Sequence, residues 1–321
     1  MSERFLVTGA LGCIGAWVVR QLVTEGVPTV VFDAGGSIHR LRYLLGDAEL
    51  RGVELIRGDI TDGEAVLDAV RWHRVTNVIH LAALQVPFCK ADPARGAAVN
   101  VLGTVNVFEA VKRAGTVTGP VVFASSIATY DAVDGETVAP AHPTGLPATH
   151  YGVFKRANEG NAHVYWLDDR IPSIGLRPYV VYGVGRDQGM TSAPTAAMLA
   201  AAGGEPFHIP FGGRSQLQYA ADVADAFVRA ARSGHRGADV FNLDGPAVHM
   251  AELVAAITAA APEVAGAITF DDVQLPFPED TRSSPLTEAL GPSRLTPLPE
   301  AVRATVARFR ELRAAGLLPA P

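Results

Sequence analysis

The sequence predicts an α/β fold built on a doubly wound parallel sheet, and two features of the chain carry this prediction. Short apolar runs such as RFLVTG, TVVFD and NVIHLAA alternate with amphipathic stretches, which is the pattern of repeated strand, helix, strand units. The runs are continuous in Val, Ile and Phe instead of alternating with polar residues, which is typical of strands that helices cover on both faces.

The predicted elements follow one another in order through the first half of the chain. Strands are predicted at RFLVTG, TVVFD, VELIRGD, NVIHLAA, PVVFASS and SIGLRPYVVYG. Helices are predicted from about Ile14 to Glu25, near Glu64 to Val70, through VNVLGTVNVFEAVKRAG, and from Tyr151 towards Trp166. Residues 1–177 are therefore assigned to one domain.

Beyond Tyr182 the chain becomes rich in Gly, Pro and Ala. A helix is predicted to end at Ala202, the segment FHIPFGGRSQLQYAADVADAFVRAAR is predicted to return to the sheet, and a last helix runs from about Glu300 to Ala315. We therefore add 216–245 to the first domain and assign 178–215 and 246–321 to a smaller substrate-binding lobe.

Composition narrows the class of protein. The net charge is −6 without a run of like charges, so nucleic acid is not an expected partner, and no metal site is expected. The Ala-rich tracts are interrupted by Gly203-Gly204 and Pro262-Glu263 before they reach the ~18 apolar residues that a membrane span needs. MSERFLVTGA leads directly into a strand, and Cys13 and Cys89 are the two cysteines, so a cytoplasmic location is expected.

A glycine-rich turn follows the first strand. Gly9, Gly12 and Gly15 open the first helix, where backbone N–H groups and the helix dipole can hold a pyrophosphate. Glycines also serve merely to reverse a chain, and the turn alone does not separate the two interpretations. Asp33, at the end of the second strand, favours dinucleotide binding because its carboxylate can accept both ribose hydroxyls of an adenosine.

The same carboxylate would repel a 2′-phosphate, so NAD is preferred over NADP. Arg40 and Arg42 follow soon after and would suit a phosphate, which is the argument on the other side. Asp59 and Ile60, after the third strand, are placed to meet the adenine, although an Asp in GDITDGE can equally cap a helix.

Tyr151 and Lys155 are four residues apart at the start of a predicted helix and therefore share one face. A buried ammonium close to a phenol favours the phenolate, so Lys155 is expected to lower the pKa of Tyr151 and make it a proton acceptor. Such a pair also occurs by chance on solvated helices. Ser125 and Ser126 leave a strand at its carboxyl end, where ligands bind in open α/β sheets, although serines often simply end strands.

Taken together, these motifs resemble the extended short-chain dehydrogenase/reductases, the NAD-dependent epimerase/dehydratase family. They are TGALGCIG at 8–15, Asp33, VIHLAA at 78–83, VVFASSIATY at 121–130, YGVFK at 151–155 and LRPYVVYG at 176–183. The likeness covers nearly the whole chain and is strongest over 4–183. It implies a Rossmann-type domain that binds NAD and a smaller C-terminal lobe that closes over the substrate.

The resemblance also implies roles for individual residues. The catalytic residues would be Ser126, Tyr151 and Lys155. The cofactor would meet Gly9, Gly12, Cys13, Ile14 and Gly15 in the turn, Asp33, Asp59 and Ile60 at the adenosine, Leu81, Ala82 and Ala83 through their backbone, and Pro178, Tyr151 and Lys155 at the other end. Gln85, Ser126, Arg186 and Arg214 would meet the substrate, and His80 would be a packed strand residue.

The implied chemistry is oxidation of a secondary alcohol on a small polyhydroxylated substrate. A sugar epimerase, with a nucleotide sugar as one form of the substrate, is the leading expectation, and a dehydrogenase of a sugar, sugar acid or small hydroxy compound is the alternative. A dehydratase is disfavoured because Ile127-Ala128 follows Ser126 where dehydratases of the family carry Asp-Glu. A non-catalytic NAD sensor is the remote alternative.

Two further expectations concern the substrate and the assembly. Nucleotide-sugar members commonly carry an Arg-Asp pair whose Arg binds the diphosphate, whereas this chain has Gln216 and Gln218 near the expected place. Arg186, Arg214 or Arg282 would then substitute for that Arg, or bind the carboxylate of a smaller substrate. The helices VNVLGTVNVFEAVKRAG and GVFKRANEGNAHVYWLDD correspond to the family's dimer interface. A homodimer is expected, with Phe154, Val164 and Trp166 supplying contacts unless they face their own sheet.

Overall fold

The structure, a computed structural model, describes residues 3–130, 138–143 and 145–318. Its centre is a seven-stranded sheet made of β1 (Phe5–Thr8), β2 (Thr29–Asp33), β3 (Val53–Arg57), β4 (Asn77–His80), β5 (Val121–Ala124), β7 (Ser173–Arg177) and β11 (Ala238–Asn242). Within this part of the chain the strand order is β11-β7-β5-β4-β1-β2-β3, and every pair is parallel. The predicted α/β class with a doubly wound parallel sheet is confirmed.

Helices cover both faces of this sheet. They are α1 (Cys13–Thr24), α2 (His39–Leu44), α3 (Asp47–Leu50), α4 (Gly63–Trp72), α5 (Val86–Ala91), α6 (Pro93–Ala97), α7 (Gly103–Ala114), α8 (His150–Asp169) and α10 (Ala220–Arg232). Neighbouring strand residues point to opposite faces, so Phe5 and Val7 pack in the core with α1 and α10, whereas Leu6 packs in the core with α4 and α7. This explains the continuous apolar runs.

The remaining elements form smaller sheets and a helical layer. A three-stranded sheet has the order β12 (Ala247–His249), β10 (Arg214–Tyr219), β8 (Val180–Tyr182); two pairs join β13 (Ile268–Phe270) to β9 (Phe207–Ile209) and β14 (Asp280–Thr281) to β6 (Val138–Ala139). The helices here are α9 (Ala193–Ala202), α11 (Met250–Ala260), α12 (Ser284–Leu290) and α13 (Leu298–Ala314). The division of the chain into two lobes stays a prediction.

Three details differ from the predicted elements. The run SIGLRPYVVYG forms two strands, β7 and β8, which belong to different sheets and separate at Pro178, a residue without an N–H to donate. In the segment predicted to return to the sheet, β10 pairs with β8, while α10 packs on the main sheet and β11 follows as its edge strand. The predicted helix VNVLGTVNVFEAVKRAG begins with a π-helical turn, Ala98–Leu102.

Candidate active site

A cavity of 630 Å³ lies at the carboxyl ends of β1, β2, β4 and β5. The order β4-β1-β2 makes this the point where the chain direction across the sheet reverses, which is where open α/β sheets bind ligands. Every predicted catalytic and cofactor-binding residue lines it: Gly9, Gly12, Cys13, Ile14, Gly15, Asp33, Asp59, Ile60, Leu81, Ala82, Ala83, Ser126, Tyr151, Lys155 and Pro178. Of the predicted substrate residues, Gln85 and Arg186 line it as well.

The glycine turn is shaped by close backbone contacts. Gly9 has a φ of +67°, and a Cβ atom there would lie 2.4 Å from the backbone nitrogen of Ala82. A Cβ atom on Gly15 would lie 2.5 Å from the carbonyl oxygen of Gly9. Helix α1 begins directly after Gly12 without a side-chain cap, so its first N–H groups face the cavity and remain available to an anion. These residues therefore fit the pyrophosphate of a dinucleotide.

Asp33 is held at the end of β2 by two backbone donors. Leu11 N–H donates to one carboxylate oxygen at 2.9 Å and Gly35 N–H donates to the other at 2.8 Å. Of the two nearby arginines, Arg40 lines the cavity but donates to Leu11 O at 2.7 Å and to Asp187, whereas Arg42 is exposed on α2 and is not among the lining residues described. A fixed carboxylate beside an arginine already paired with another acid fits ribose hydroxyls better than a 2′-phosphate.

The structure separates the two interpretations of Asp59. The residue that caps α4 is Asp62, whose side chain accepts from Glu64 N and Ala65 N. Asp59 instead accepts from the backbone and hydroxyl of Thr61 at 3.0 and 2.8 Å, and these hydrogen bonds hold the pKa of its carboxyl below the usual value. Asp59 thus closes a turn on the cavity wall and is not the cap of a helix.

The three predicted catalytic residues meet at the end of β5. Ser126 begins a short 3-10 turn, Ile127–Thr129, and its hydroxyl oxygen accepts from Ala128 N at 3.1 Å. Helix α8 starts at His150 because Thr149 caps it through Gly152 N, which places Tyr151 in the first turn. Lys155 is almost fully buried, donates to Ala124 O at 2.7 Å, and has its ammonium 5.5 Å from the centre of the Tyr151 ring.

Burial dominates the electrostatics of this pair. Desolvation raises the pKa of Tyr151 above that of a free phenol, although a hydrogen bond with Ser126 and the charge of Arg186 each lower it. Desolvation also lowers the pKa of Lys155 to about 8, against the opposing effects of Cys89 and Glu159. The net shift of the Tyr151 pKa is therefore upward, opposite to the expected lowering, because desolvation of the phenolate outweighs the hydrogen bond with Ser126 and the charge of Arg186.

A buried ion pair between β7 and α8 was not predicted from the sequence. Arg177 donates to both carboxylate oxygens of Glu159, at 2.7 and 2.8 Å, and Ser125 donates to the same carboxylate at 2.5 Å. These contacts join α8 to β7 and to the residue that follows β5, one helical turn after Lys155. The available signal was Glu159 itself, which lies four residues after Lys155 on the same side of the helix.

The structure does not bring Arg214 to the cavity. This side chain is about half exposed, donates to Ala247 O at 2.6 Å and lies within 4.0 Å of two glutamates, Glu252 and Glu279. Gln216 and Gln218 are buried and use their amides to bind the backbone around Leu243. Within the described ranges, Arg282 is likewise absent from the cavity lining.

Metal-binding clusters and membrane-spanning helices are both absent from the described residues. In residues 3–130, 138–143 and 145–318, no group of three or more His, Cys, Asp or Glu side chains is placed to hold a metal ion. Across the same residues, none of the helices has the length and apolar character that crossing a membrane requires. His80 is buried in β4 between Thr8 and Thr104 and takes no part in the cavity lining.

The parallel sheet, the glycine turn and the acidic strand end together define a dinucleotide-binding protein of the Rossmann class. The family model described as NAD dependent epimerase/dehydratase family matches residues 5–244. The chain belongs to that family, whose cofactor is NAD.

Individual relatives point the same way. The chain is similar to UDP-glucuronate 4-epimerase 6 of Arabidopsis thaliana, at 32% identity over 56% of this chain and 39% of that protein. It is also similar to UDP-glucose 4-epimerase of Azospirillum brasilense, at 32% identity over 56% of this chain and 48% of that protein. The matches thus span less than half the length of these relatives. UDP-glucose 4-epimerase of Thermus thermophilus, solved with NAD, superposes with a TM-score of 0.77 at 26% identity over 96% and 99% of the two chains.

Proposed function

We propose that this protein is an NAD-dependent sugar epimerase that works by transient oxidation of a secondary alcohol. The observation that supports this is the meeting of Ser126, Tyr151 and Lys155 in one cavity with the glycine turn and Asp33. The similarity to UDP-sugar 4-epimerases supports the same reaction class. NAD supplies the hydride acceptor and returns the hydride.

Tyr151, Ser126 and Lys155 each have a separate role in the reaction. After the Tyr151 phenol has lost its own proton to solvent, the phenolate oxygen takes the proton of the substrate hydroxyl and gives it back when the ketone is reduced. Ser126 donates a hydrogen bond to the substrate oxygen as it becomes a carbonyl. Lys155 is held by Ala124 O with its charge beside the Tyr151 ring, so that the phenolate, once formed, faces a fixed cation. Epimerisation follows when the ketone is reduced again from its other face.

A dehydrogenase is the second candidate, and the position of Arg214 favours it. With that arginine turned towards β12, the cavity loses one of the cations expected to grip a nucleotide sugar, and a smaller substrate can be oxidised and released. A dehydratase is disfavoured because Ile127 and Ala128, which follow Ser126, are buried apolar residues without an ionisable group to transfer a proton. A non-catalytic NAD sensor would need only the residues that bind the cofactor.

One experiment separates these candidates. Purified protein is assayed for bound NAD and then incubated with free sugars, sugar acids and nucleotide sugars. Isomer exchange with retained NAD and without accumulated NADH supports the epimerase. Stoichiometric NADH release supports the dehydrogenase, and tight NAD binding with neither reaction across the panel leaves the sensor.

The assembly proposed here is a homodimer in the cytoplasm. On α8, Val153, Ala157, Gly160, Val164 and Leu167 are all exposed and recur at alternating spacings of four and three residues, the spacing of a helix–helix packing seam. Of the predicted contact residues, Val164 belongs to this stripe, whereas Phe154 and Trp166 are partly covered by their own subunit. The free thiols of Cys13 and Cys89 suit a reducing compartment.

A further inference from the structure

The cations that line the cavity differ in what they already bind. In the described part of the chain they are Arg40, Arg95, Lys155 and Arg186. Arg40 is paired with Asp187, Arg95 lies 3.3 Å from Asp59, and Lys155 is bound to Ala124 O. Arg186 is the one among these whose guanidinium has no carboxylate partner within the described residues, and its side-chain hydrogen bond is to Thr191 Oγ1 at 3.1 Å.

Two buried polar atoms on side chains that line the cavity have no hydrogen-bond partner among the described residues. They are Nε of Arg186 and Oε1 of Gln85. A Cβ atom on Gly189 would lie 2.5 Å from Gln85 Oε1 and 3.2 Å from Arg186 Nη2, so both side chains lie against this glycine. An unsatisfied buried polar group destabilises the site, and a ligand that supplies the missing partners removes this destabilisation.

The two side chains can bind two different groups of one ligand. The free Nε of Arg186, beside an Nη group, presents the fork that binds the two oxygens of a carboxylate. The amide oxygen of Gln85 accepts a hydrogen bond from a hydroxyl. Both residues line the cavity that holds Tyr151, so a ligand bound here is within the site of alcohol oxidation.

The rest of the substrate end offers little to a diphosphate. Tyr179 and Phe277 line the wall and pack edge to face with ring centres 6.1 Å apart, and the Tyr179 hydroxyl donates to Pro278 O. The amides of Gln216 and Gln218 are committed to the backbone of Leu243 and its neighbours. A nucleoside diphosphate would bring two phosphates to a part of the cavity where Arg186 is the one arginine without a carboxylate partner among the described residues.

Resting on the proposed function, we propose that the substrate is a free hydroxy acid of the sugar-acid type, without a nucleotide. Its carboxylate binds the Arg186 guanidinium, and one of its hydroxyls donates to Gln85. Arg186 and Gln85 are then the residues that select a carboxylate-bearing substrate over a neutral sugar and over a nucleoside diphosphate sugar.

The test measures binding separately from turnover. The Tyr151→Phe variant, saturated with NAD, is titrated by calorimetry with glucuronate, galacturonate and gluconate, with glucose and galactose as neutral counterparts, and with UDP-glucose and UDP-glucuronate. We expect a free acid to bind at least about tenfold more tightly than its neutral counterpart and than either UDP-sugar, since a charged hydrogen bond contributes that much. Tighter binding of a UDP-sugar, or no binding of any acid, overturns the inference.

Variants of Arg186 identify the contact. Arg186→Gln is expected to weaken acid binding by roughly 10- to 100-fold, because a charged hydrogen bond contributes about 1.5–3 kcal/mol. Arg186→Lys keeps the positive charge and loses the two-pronged guanidinium, so its affinity for the acid should lie between those of the wild type and Arg186→Gln. Arg303→Gln removes the same charge from an exposed position of α13 and should change nothing. Equal effects of Arg186→Gln and Arg303→Gln contradict the assignment.

The outcomes also separate this inference from the proposed function. Acid binding without isomer exchange or NADH formation in the wild-type protein supports the inference and contradicts the proposed reaction. Turnover of UDP-sugars without turnover of free acids keeps the reaction and removes the inference. For an acid that turns over, Arg186→Gln should raise KM far more than it lowers kcat.

Discussion

At the scale of single residues, Lys155 carries a conflict between stability and function. The residue is 4% exposed, its ammonium binds Ala124 O, and burial lowers its pKa to about 8. The charged form is therefore disfavoured in the folded protein relative to water, although it still dominates at neutral pH. A buried cation beside a phenol is useful to a proton transfer and unfavourable for folding, which is the pattern expected of functional sites.

This conflict predicts the effect of Lys155→Met on stability. The pKa of Lys155 in the folded protein lies below its unfolded value, so the destabilisation is complete below about pH 8 and disappears as the pH rises towards the unfolded pKa. We expect the variant to gain about 1–3 kcal/mol in free energy of unfolding at about pH 7, and a much smaller amount at about pH 10. Urea unfolding at both pH values checks this, and a gain that does not shrink with pH contradicts it.

The phenol of Tyr151 gives the second prediction at this scale. Tyr151→Phe removes the proton acceptor and should reduce turnover by at least about 10²-fold, the lower range for general acid–base catalysis. NAD should remain bound, because the glycine turn and Asp33 are untouched. Tyr165→Phe is the matched control, since this phenol lies on the same helix but donates to Glu109. Unchanged turnover in Tyr151→Phe refutes the assigned role.

At the scale of secondary structure, His80 shows how one strand is fixed between its neighbours. Its Nδ1 lies 2.6 Å from the Thr8 hydroxyl on β1, and its Nε2 lies 3.0 Å from the Thr104 hydroxyl on α7. Burial, with the charge of Lys155 as a second cause, lowers its pKa to about 3, so the ring is neutral throughout the physiological range. One side chain thus connects the two strands that border the glycine turn with the helix behind them.

This connection predicts an acid-dependent loss of stability. Below pH 6.5 the unfolded chain protonates His80 while the folded chain does not, so folding loses about 1.4 kcal/mol per pH unit as the pH falls towards the folded pKa. His80→Gln keeps a polar side chain that cannot be protonated in this range. We expect the free energy of unfolding of wild type minus variant to decrease steadily between about pH 6.5 and about pH 4.5 in urea titrations. A constant difference contradicts the assignment.

The same scale shows which features the sequence can and cannot predict. The glycine turn, Asp33 and the Tyr151–Lys155 pair depend on contacts within one or two adjacent elements, and local spacing is enough to find them. The pairing of Arg177 with Glu159 depends on how α8 lies on β7, and the direction of Arg214 depends on the pairing of β10 with β12. These packing choices join distant parts of the chain, so no local pattern encodes them.

At the scale of the whole molecule, α8 connects the catalytic site to the proposed dimer interface. One side of this helix places Lys155 and Glu159 against the sheet, while the opposite side leaves Val164 and Leu167 about half exposed. Exposed apolar side chains repeating along a helix are typical of a surface that a second helix covers. Tyr151, Lys155 and the proposed interface therefore share one helix, so the position of Tyr151 depends on the packing of both faces of α8.

Val164→Glu tests the interface. Pairing of two copies along α8 would bring this side chain, 50% exposed in the monomer, into an apolar contact, and a buried carboxylate without a partner opposes that contact. We expect the wild-type protein to sediment as a dimer and the variant as a monomer with reduced thermal stability. Val273→Glu, a substitution at a 59% exposed valine outside α8, should remain a dimer. A wild-type protein that sediments as a monomer at micromolar concentration contradicts the dimer. If Val164→Glu is still a dimer, the interface does not lie on α8.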